Sequence, residues 1–391
     1  MKPISLPHRI HGLDTLRALA IVLVFANHHL LFVSKASPFG WLGDIGWIGV
    51  DLFFGLSGYL IGNQIFAAMR SEQGFSLPVF YARRFLRTLP NFYVVLALYA
   101  LWPWFRNGLS MPPLWEFVTF TQNIHLTPGT AFSHAWSLCV EEQFYVLLPA
   151  VALLVGLAIR PLALAWPAIA AALVAGAFIR SSLWTQDMAQ QGGYAFYTQI
   201  YYASWCRFDE LVAGVALALI KNYHGRWWTR LASHGNAAFA VGAGLLIVAG
   251  RMFYEDHFAY GVTVLGYPLL ALAVFLLLVA ALSPGSLLAR TRIPGAQSLA
   301  LWSYAIYLLH KQLCILLKPA LQDIGLAPQS PASTAVMAAV SLAAGWLLYA
   351  AVETPFMKLR ERWFPGYGRI SMTSNGACVS SARNASSALT R

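Results

Sequence analysis

The chain has 391 residues, 58% hydrophobic and only 10% charged, with a mean hydropathy of +0.59. Soluble domains carry about 25% charged residues, so a free cytosolic enzyme is excluded, as is a disordered chain too poor in apolar residues to bury itself. The balance of 26 Lys and Arg against 15 Asp and Glu gives +11, but basic residues in short loops between apolar runs set membrane orientation rather than nucleic-acid binding.

A spanning helix needs about 20 mostly apolar residues. Ten such stretches are predicted, at 14–33, 47–68, 88–105, 141–159, 162–183, 206–220, 235–252, 261–282, 299–317 and 332–352. The expected architecture is therefore all-α: a polytopic membrane helix bundle of about ten transmembrane helices over 1–367, followed by a polar, disordered tail over 368–391. With the N-terminus inside, Arg83, Arg84, Arg87, Arg290, Arg292, Lys358, Arg360 and Arg362 all fall on inner segments. That bias places both termini in the cytoplasm. Four cysteines, Cys139, Cys206, Cys314 and Cys378, show neither CxxC spacing nor a nearby histidine cluster, so no metal site and no disulfide framework is expected.

The first apolar run carries Asp14, Arg17, His28 and His29 and no small-residue cleavage site follows it; it reads as a membrane helix, not a signal peptide. Arg17 and His28 are eleven positions apart, which at about 100° per residue is three turns plus about 20°, so they share one face about 16 Å apart along the axis. Singly, each has a plain explanation: Arg17 snorkels to lipid phosphates, and His28 bonds a neighbouring helix. Together they put an anion-attracting group near the inner mouth and a titratable base in the outer half of one helix. His29 points about 100° away, to a different neighbour.

The second helix contains GWIGVDLFFGLSGYLIG, with Asp51 at its outer end and a Ser57–Gly58 step suited to close helix packing. YARRFLRTLPNFY follows, gathering Arg83, Arg84 and Arg87. This cluster suffices as an inner-face anchor and is also where a nucleotide phosphate would bind. In HAWSLCVEEQFYVLLP, residues 134–149, Ser137, Glu141 and Tyr145 recur at i, i+4 and i+8, with Glu142 turned toward the next face. These carboxylates are expected at about the depth of His28, so a His28–glutamate pair is geometrically possible; solvation at the interface is the plain alternative, better suited to one of them than to both. The ninth helix carries SYAIYLLH, where Ser303, Tyr307 and His310 form a polar stripe; interfacial tyrosines facing lipid would give the same pattern.

Taken in order, these stretches resemble the membrane-bound acyltransferase-3 family, which includes O-antigen acetyltransferases, nodulation-factor acetyltransferases and macrolide-acylating enzymes. LDTLRALAIVLVFANH supplies the family's Arg and His through Arg17 and His28. GVDLFFGLSGYLI matches its second-helix block, and WSLCVEEQFY matches its Ser-Leu…Glu…Tyr block through Ser137, Leu138, Glu141 and Tyr145. ARRFLRTLP, RFDELVAGVALA, SYAIYLLH and VETP are weaker echoes, and the likeness spans residues 11–357. Thr15 stands where Gly is frequent. No appended hydrolase-like domain is seen, so hand-over to a second soluble domain of the same chain is not expected.

The resemblance implies transfer of an acyl group, most simply acetyl, from acyl-coenzyme A as co-substrate to a hydroxyl of a cell-envelope or exported carbohydrate, such as a lipopolysaccharide O-antigen or exopolysaccharide. The expected setting is a multi-pass protein of the bacterial inner membrane, with no permanently bound cofactor and no nucleic-acid partner. A thiolate of pKa about 8.5 leaves readily, so the demand is activation of the hydroxyl. His28 is assigned as general base, with Glu141, or else Glu142, orienting its ring. Arg17, Arg83, Arg84 and Arg87 would hold the donor's phosphates. Ser137 and Tyr145 would position substrate or donate to the developing oxyanion, with Asp51, Ser303, Tyr307 and His310 as further positioning residues. Succinyl transfer to a glucan, acylation of a macrolide, and a proton-coupled transporter are the competing readings.

Overall fold

In the computed structural model, residues 10–36, 38–186, 188 and 193–365 are described; the stretch expected to form the polar tail, 368–391, lies outside them. Among the described residues there is no β-strand. Numbering the longer helices in chain order, α1 is His11–His29, continued by a π-helical turn at Leu30–Ser34. α2 is Ile48–Arg70, α3 Leu77–Leu101, α4 Trp136–Gly156 and α5 Pro161–Leu183. α6 is Asp209–Tyr223, α7 Gly225–Ser233, α8 Gly235–Glu255 and α9 Tyr260–Leu282. α10 is Ala296–Asp323, α11 Pro331–Leu348 and α12 Thr354–Trp363.

Each of the ten predicted stretches falls on one of these helices, and eight described segments are long and apolar enough to cross a membrane. The two that miss that standard are α3 and α6. α6 has 15 residues, short of a span. α3 begins at Leu77, well before the predicted residue 88, and takes Arg83, Arg84 and Arg87 into its first half. Pro78 sits in the first turn, where a missing N–H costs nothing. The helix stops at Leu101 because Trp102, extended at φ −120° and ψ 90°, precedes Pro103 and is pushed out of the helical region. α4 likewise starts at Trp136 rather than 141, so the whole WSLCVEEQFY stretch is helical.

α1 packs against α2, α9 and α10; α6 lies against α2 and α9, and α12 lies along α3. α9 is the most enclosed span, with 67% of its apolar window buried, whereas α5 has 6% and turns its side chains outward. α5 is thus mostly apolar cladding, held to the interior by one buried charge, Arg180, near its C-terminal end.

The α2–α6 contact is the tightest in the bundle and explains the Ser57–Gly58 step. A Cβ at Gly58 would strike the Leu211 carbonyl, and one at Gly214 would strike the Gly55 carbonyl and the Tyr59 amide. These obstacles are backbone, which no rotamer change can move aside. Gly214→Val is therefore expected to destabilise the chain by about 3 kcal/mol or more, read as a lower melting midpoint in detergent. Gly244→Ala on α8, where a Cβ meets nothing within 4 Å, is the control that should leave the midpoint in place.

Candidate active site

A cavity of about 510 Å³ opens among α1, α2, α3, α4, α10 and α12. Arg17 reaches it from α1, Arg83, Arg84 and Arg87 from α3, and Arg360 from α12. α4 contributes Ser137, Glu141 and Tyr145 from successive turns of one face and Glu142 from the adjoining one, and α10 contributes Ser303, Tyr304 and Tyr307. Ten of the candidate site residues therefore line one space, although they come from four helices.

The cations are held in place by specific partners. Arg83 Nη2 is 3.0 Å from Glu361 Oε1, and the same guanidinium donates to the Phe364 carbonyl. Arg87 lies 3.9 Å from Glu353, whose other oxygen accepts from Asn91 Nδ2 at 2.9 Å. Glu353 belongs to the VETP stretch, so that echo has a structural meaning: it ties α12 to the arginine helix. Arg84 stacks its guanidinium 3.9 Å above the Tyr145 ring, which holds the charge over the cavity without neutralising it. Arg17 is 4.0 Å from Asp14 one turn earlier.

The glutamates do not sit where the sequence placed them. Ser57 Oγ donates to Glu141 Oε1 at 2.7 Å, and Glu141 and Glu142 both face the arginine-lined cavity. His28 is not paired with either. Its Nδ1 is 2.8 Å from Nε2 of His310, on α10. The expected His28–glutamate pair is thus replaced by a His28–His310 pair, because α4 presents its carboxylates toward α2 and α3. His310 correspondingly bonds a side chain of the protein instead of lining the cavity with Ser303 and Tyr307. His29 turns away, as its spacing implied, to Thr334 on α11 at 3.4 Å.

Asp51 is a second correction. It was expected to position substrate, but its Oδ1 is 2.5 Å from Nη2 of Arg207, both side chains have no exposure, and Asp51 does not line the cavity. Burial of an unpaired carboxylate would be costly, and Arg207, just ahead of α6, supplies the partner.

Between the cavity and the histidines stands a hydroxyl pair. Tyr307 OH donates to the His134 carbonyl at 2.7 Å. It therefore accepts from Ser137 Oγ at 2.6 Å. Both residues belong to the cavity wall, and the Tyr307 ring lies 5.7 Å from that of His134 and 6.0 Å from that of His310. His134, whose ring centroid lies 5.9 Å from His28 and 6.0 Å from His310, was overlooked in the sequence along with Tyr304, while Ser57 and Arg360 were read only as a packing step and an inner-face charge. His134 opens the HAWSL stretch, yet it lies outside the i, i+4, i+8 stripe because it occupies a 3-10 turn at Ser133–Ala135 before α4 begins.

A family model described as "Acyltransferase domain", of the acyltransferase-3 type, matches residues 10–350. The chain belongs to the acyltransferase-3 family. Among relatives of this acyltransferase-3 member, peptidoglycan O-acetyltransferase OatA of Listeria monocytogenes is 29% identical over 229 residues, covering 54% of this chain and 34% of that protein. Putative peptidoglycan O-acetyltransferase YrhL of Bacillus subtilis is 31% identical with the same coverage. O-acetyltransferase OatA of Staphylococcus aureus is 25% identical over 327 residues, covering 78% of this chain and 50% of that protein. The chain thus spans between a third and half of the length of the curated relatives it matches. No solved structure matches it.

Proposed function

We propose that the chain is a membrane O-acyltransferase that moves an acetyl group from acetyl-coenzyme A, entering from the cytoplasm, to a hydroxyl of a cell-envelope carbohydrate across the inner membrane. The observation that carries this reading is the convergence of five arginines, Arg17, Arg83, Arg84, Arg87 and Arg360, with two carboxylates and seven hydroxyl-bearing side chains in one cavity of a helical bundle. Guanidinium groups suit phosphates because their fork matches the oxygens. The relatives named above as peptidoglycan O-acetyltransferases favour a glycan acceptor.

In this reading the arginines hold the donor's phosphates at the cytoplasmic mouth, and the acyl-bearing arm extends past Tyr145 and Glu141 toward the Ser137–Tyr307 pair. Ser137 and Tyr307 then turn their hydroxyls to the thioester oxygen, where negative charge grows as the acceptor attacks. His28 removes the acceptor's proton, the new C–O bond forms, and the C–S bond breaks with the electron pair leaving on sulfur. Both termini lie in the cytoplasm, which keeps the arginine end of the cavity on the side where the donor is made.

The test is transfer of labelled acetyl from acetyl-coenzyme A by membranes containing the chain, with mass analysis of the surface glycans. Arg84→Gln removes a charge-assisted contact, which is worth about 1.5–3 kcal/mol, so it should raise the donor KM about 10- to 100-fold. Neither transfer nor hydrolysis above that of empty membranes, or an unchanged donor KM in the variant, overturns the reading.

A further inference from the structure

We propose that His310 is a positioning residue for this transfer: it fixes His28 as the Nδ1–H tautomer and leaves Nε2 of His28 as the bare nitrogen that takes the acceptor's proton. The proposal rests on the acyl-transfer reading above and puts an imidazole in the orienting role that the sequence suggested for a glutamate.

The protons follow from the acceptors. His310 has no exposure, and its Nδ1 lies 2.9 Å from the Ile306 carbonyl and 3.0 Å from the Tyr307 carbonyl. Carbonyl oxygens only accept, so Nδ1 carries the hydrogen. A neutral imidazole has one N–H, which leaves Nε2 of His310 with a lone pair. Across the 2.8 Å contact that lone pair needs a donor, and Nδ1 of His28 must supply it. The remaining nitrogen of His28, Nε2, is then unprotonated. The ring planes differ by 4° and the centroids are 4.9 Å apart. That separation is close to two ring radii plus the hydrogen bond, its largest possible value, so the imidazoles meet edge to edge with their planes nearly parallel.

The surroundings suit a neutral orienting group. Nε2 of His134 lies 3.2 Å from the Leu308 carbonyl. Lys311 donates to Ser133 Oγ at 2.9 Å and lies 4.1 Å above the Phe32 ring. Every hydrogen bond recorded for the side chains of His28, His134 and His310 goes to an imidazole or a backbone carbonyl. When His28 gains the acceptor's proton at Nε2, its Nδ1–H bond to His310 becomes charge-assisted and strengthens. Meanwhile two carbonyls keep the His310 proton from moving. The orientation of His28 is therefore stabilised most when it is charged, which is the condition for lowering the barrier and not merely binding substrate.

The test uses full-length protein in membranes, with folded protein quantified by size-exclusion profile, and compares His310→Gln, His310→Leu and His310→Met. A glutamine amide oxygen can accept from Nδ1 of His28; leucine and methionine give no comparable acceptor. The apolar variants are expected to lose about 100-fold or more in kcat, on the scale of general-base catalysis, with the donor KM little changed because the arginines are untouched. His310→Gln should recover most of that loss, and combining His310→Leu with His28→Ala should cost no more than His28→Ala alone. Wild-type kcat in both apolar variants, equal losses in the glutamine and apolar variants, or an additive loss in the double variant overturns the proposal. Wild-type protein that transfers no acyl group overturns the acyl-transfer reading itself, whereas active wild type with active His310→Leu overturns only the role of His310.

Discussion

His28→Ala is expected to lower kcat by about 10²- to 10⁴-fold, the range contributed by a positioned general base, while the protein still folds and still binds donor. Folding survives because His28 is only half-buried and its hydrogen bond goes to one side chain. Donor binding survives because the arginine-lined cavity does not include His28. The contrast is with Glu141→Gln. Its carboxylate accepts from Ser57 within the cavity, and the amide oxygen of glutamine preserves that bond, so the expected loss is smaller and falls on donor KM. Steady-state transfer of labelled acetyl with varied donor separates the two. A His28→Ala enzyme that keeps a kcat near wild type removes the base assignment and, with it, any role for His310 acting through it.

The helix-level reading was legible because helical geometry is rigid. Eleven positions fix Arg17 and His28 on one face whatever surrounds them, and i, i+4, i+8 does the same for Ser137, Glu141 and Tyr145. What periodicity does not carry is the offset and rotation of one helix against another. His28 and His310 are 282 positions apart, and their meeting depends on how α1 and α10 pack. The glutamates were misplaced for the same reason: α4 starts earlier than its hydropathy suggests and faces α2 and α3. Hydropathy also misjudged α3, since three arginines depress a window that the cavity requires to be helical. Asp51 and Arg207 each look anomalous alone; only the α2–α6 contact makes them a pair.

That pair gives the second large effect. Asp51→Ala is expected to destabilise the protein by about 3–5 kcal/mol, the cost of stranding one member of a buried ion pair. Arg207 has no route to water: it is fully buried, with Tyr201 and Tyr267 each 4.6 Å from its guanidinium and Trp136 at 5.2 Å. Its remaining bond, to the Tyr201 carbonyl at 3.3 Å, is too weak to compensate a full charge. Nearby His257, in the loop joining α8 to α9, is pushed down to about 4 by burial and by Arg207, so it stays neutral and adds no second cation. A parallel pair, Arg180 to Asp209 at 2.6 and 3.0 Å, anchors α5 to the same helix and is not disturbed by the substitution. Removing both charges is a different matter, because a buried pair can be exchanged for apolar side chains at little net cost. Asp51→Leu combined with Arg207→Met should therefore recover much of the melting midpoint and the monodisperse yield in detergent that Asp51→Ala loses. A substrate-positioning Asp51 would behave oppositely: the single variant would melt like wild type with its kcat reduced, and the double variant would restore nothing.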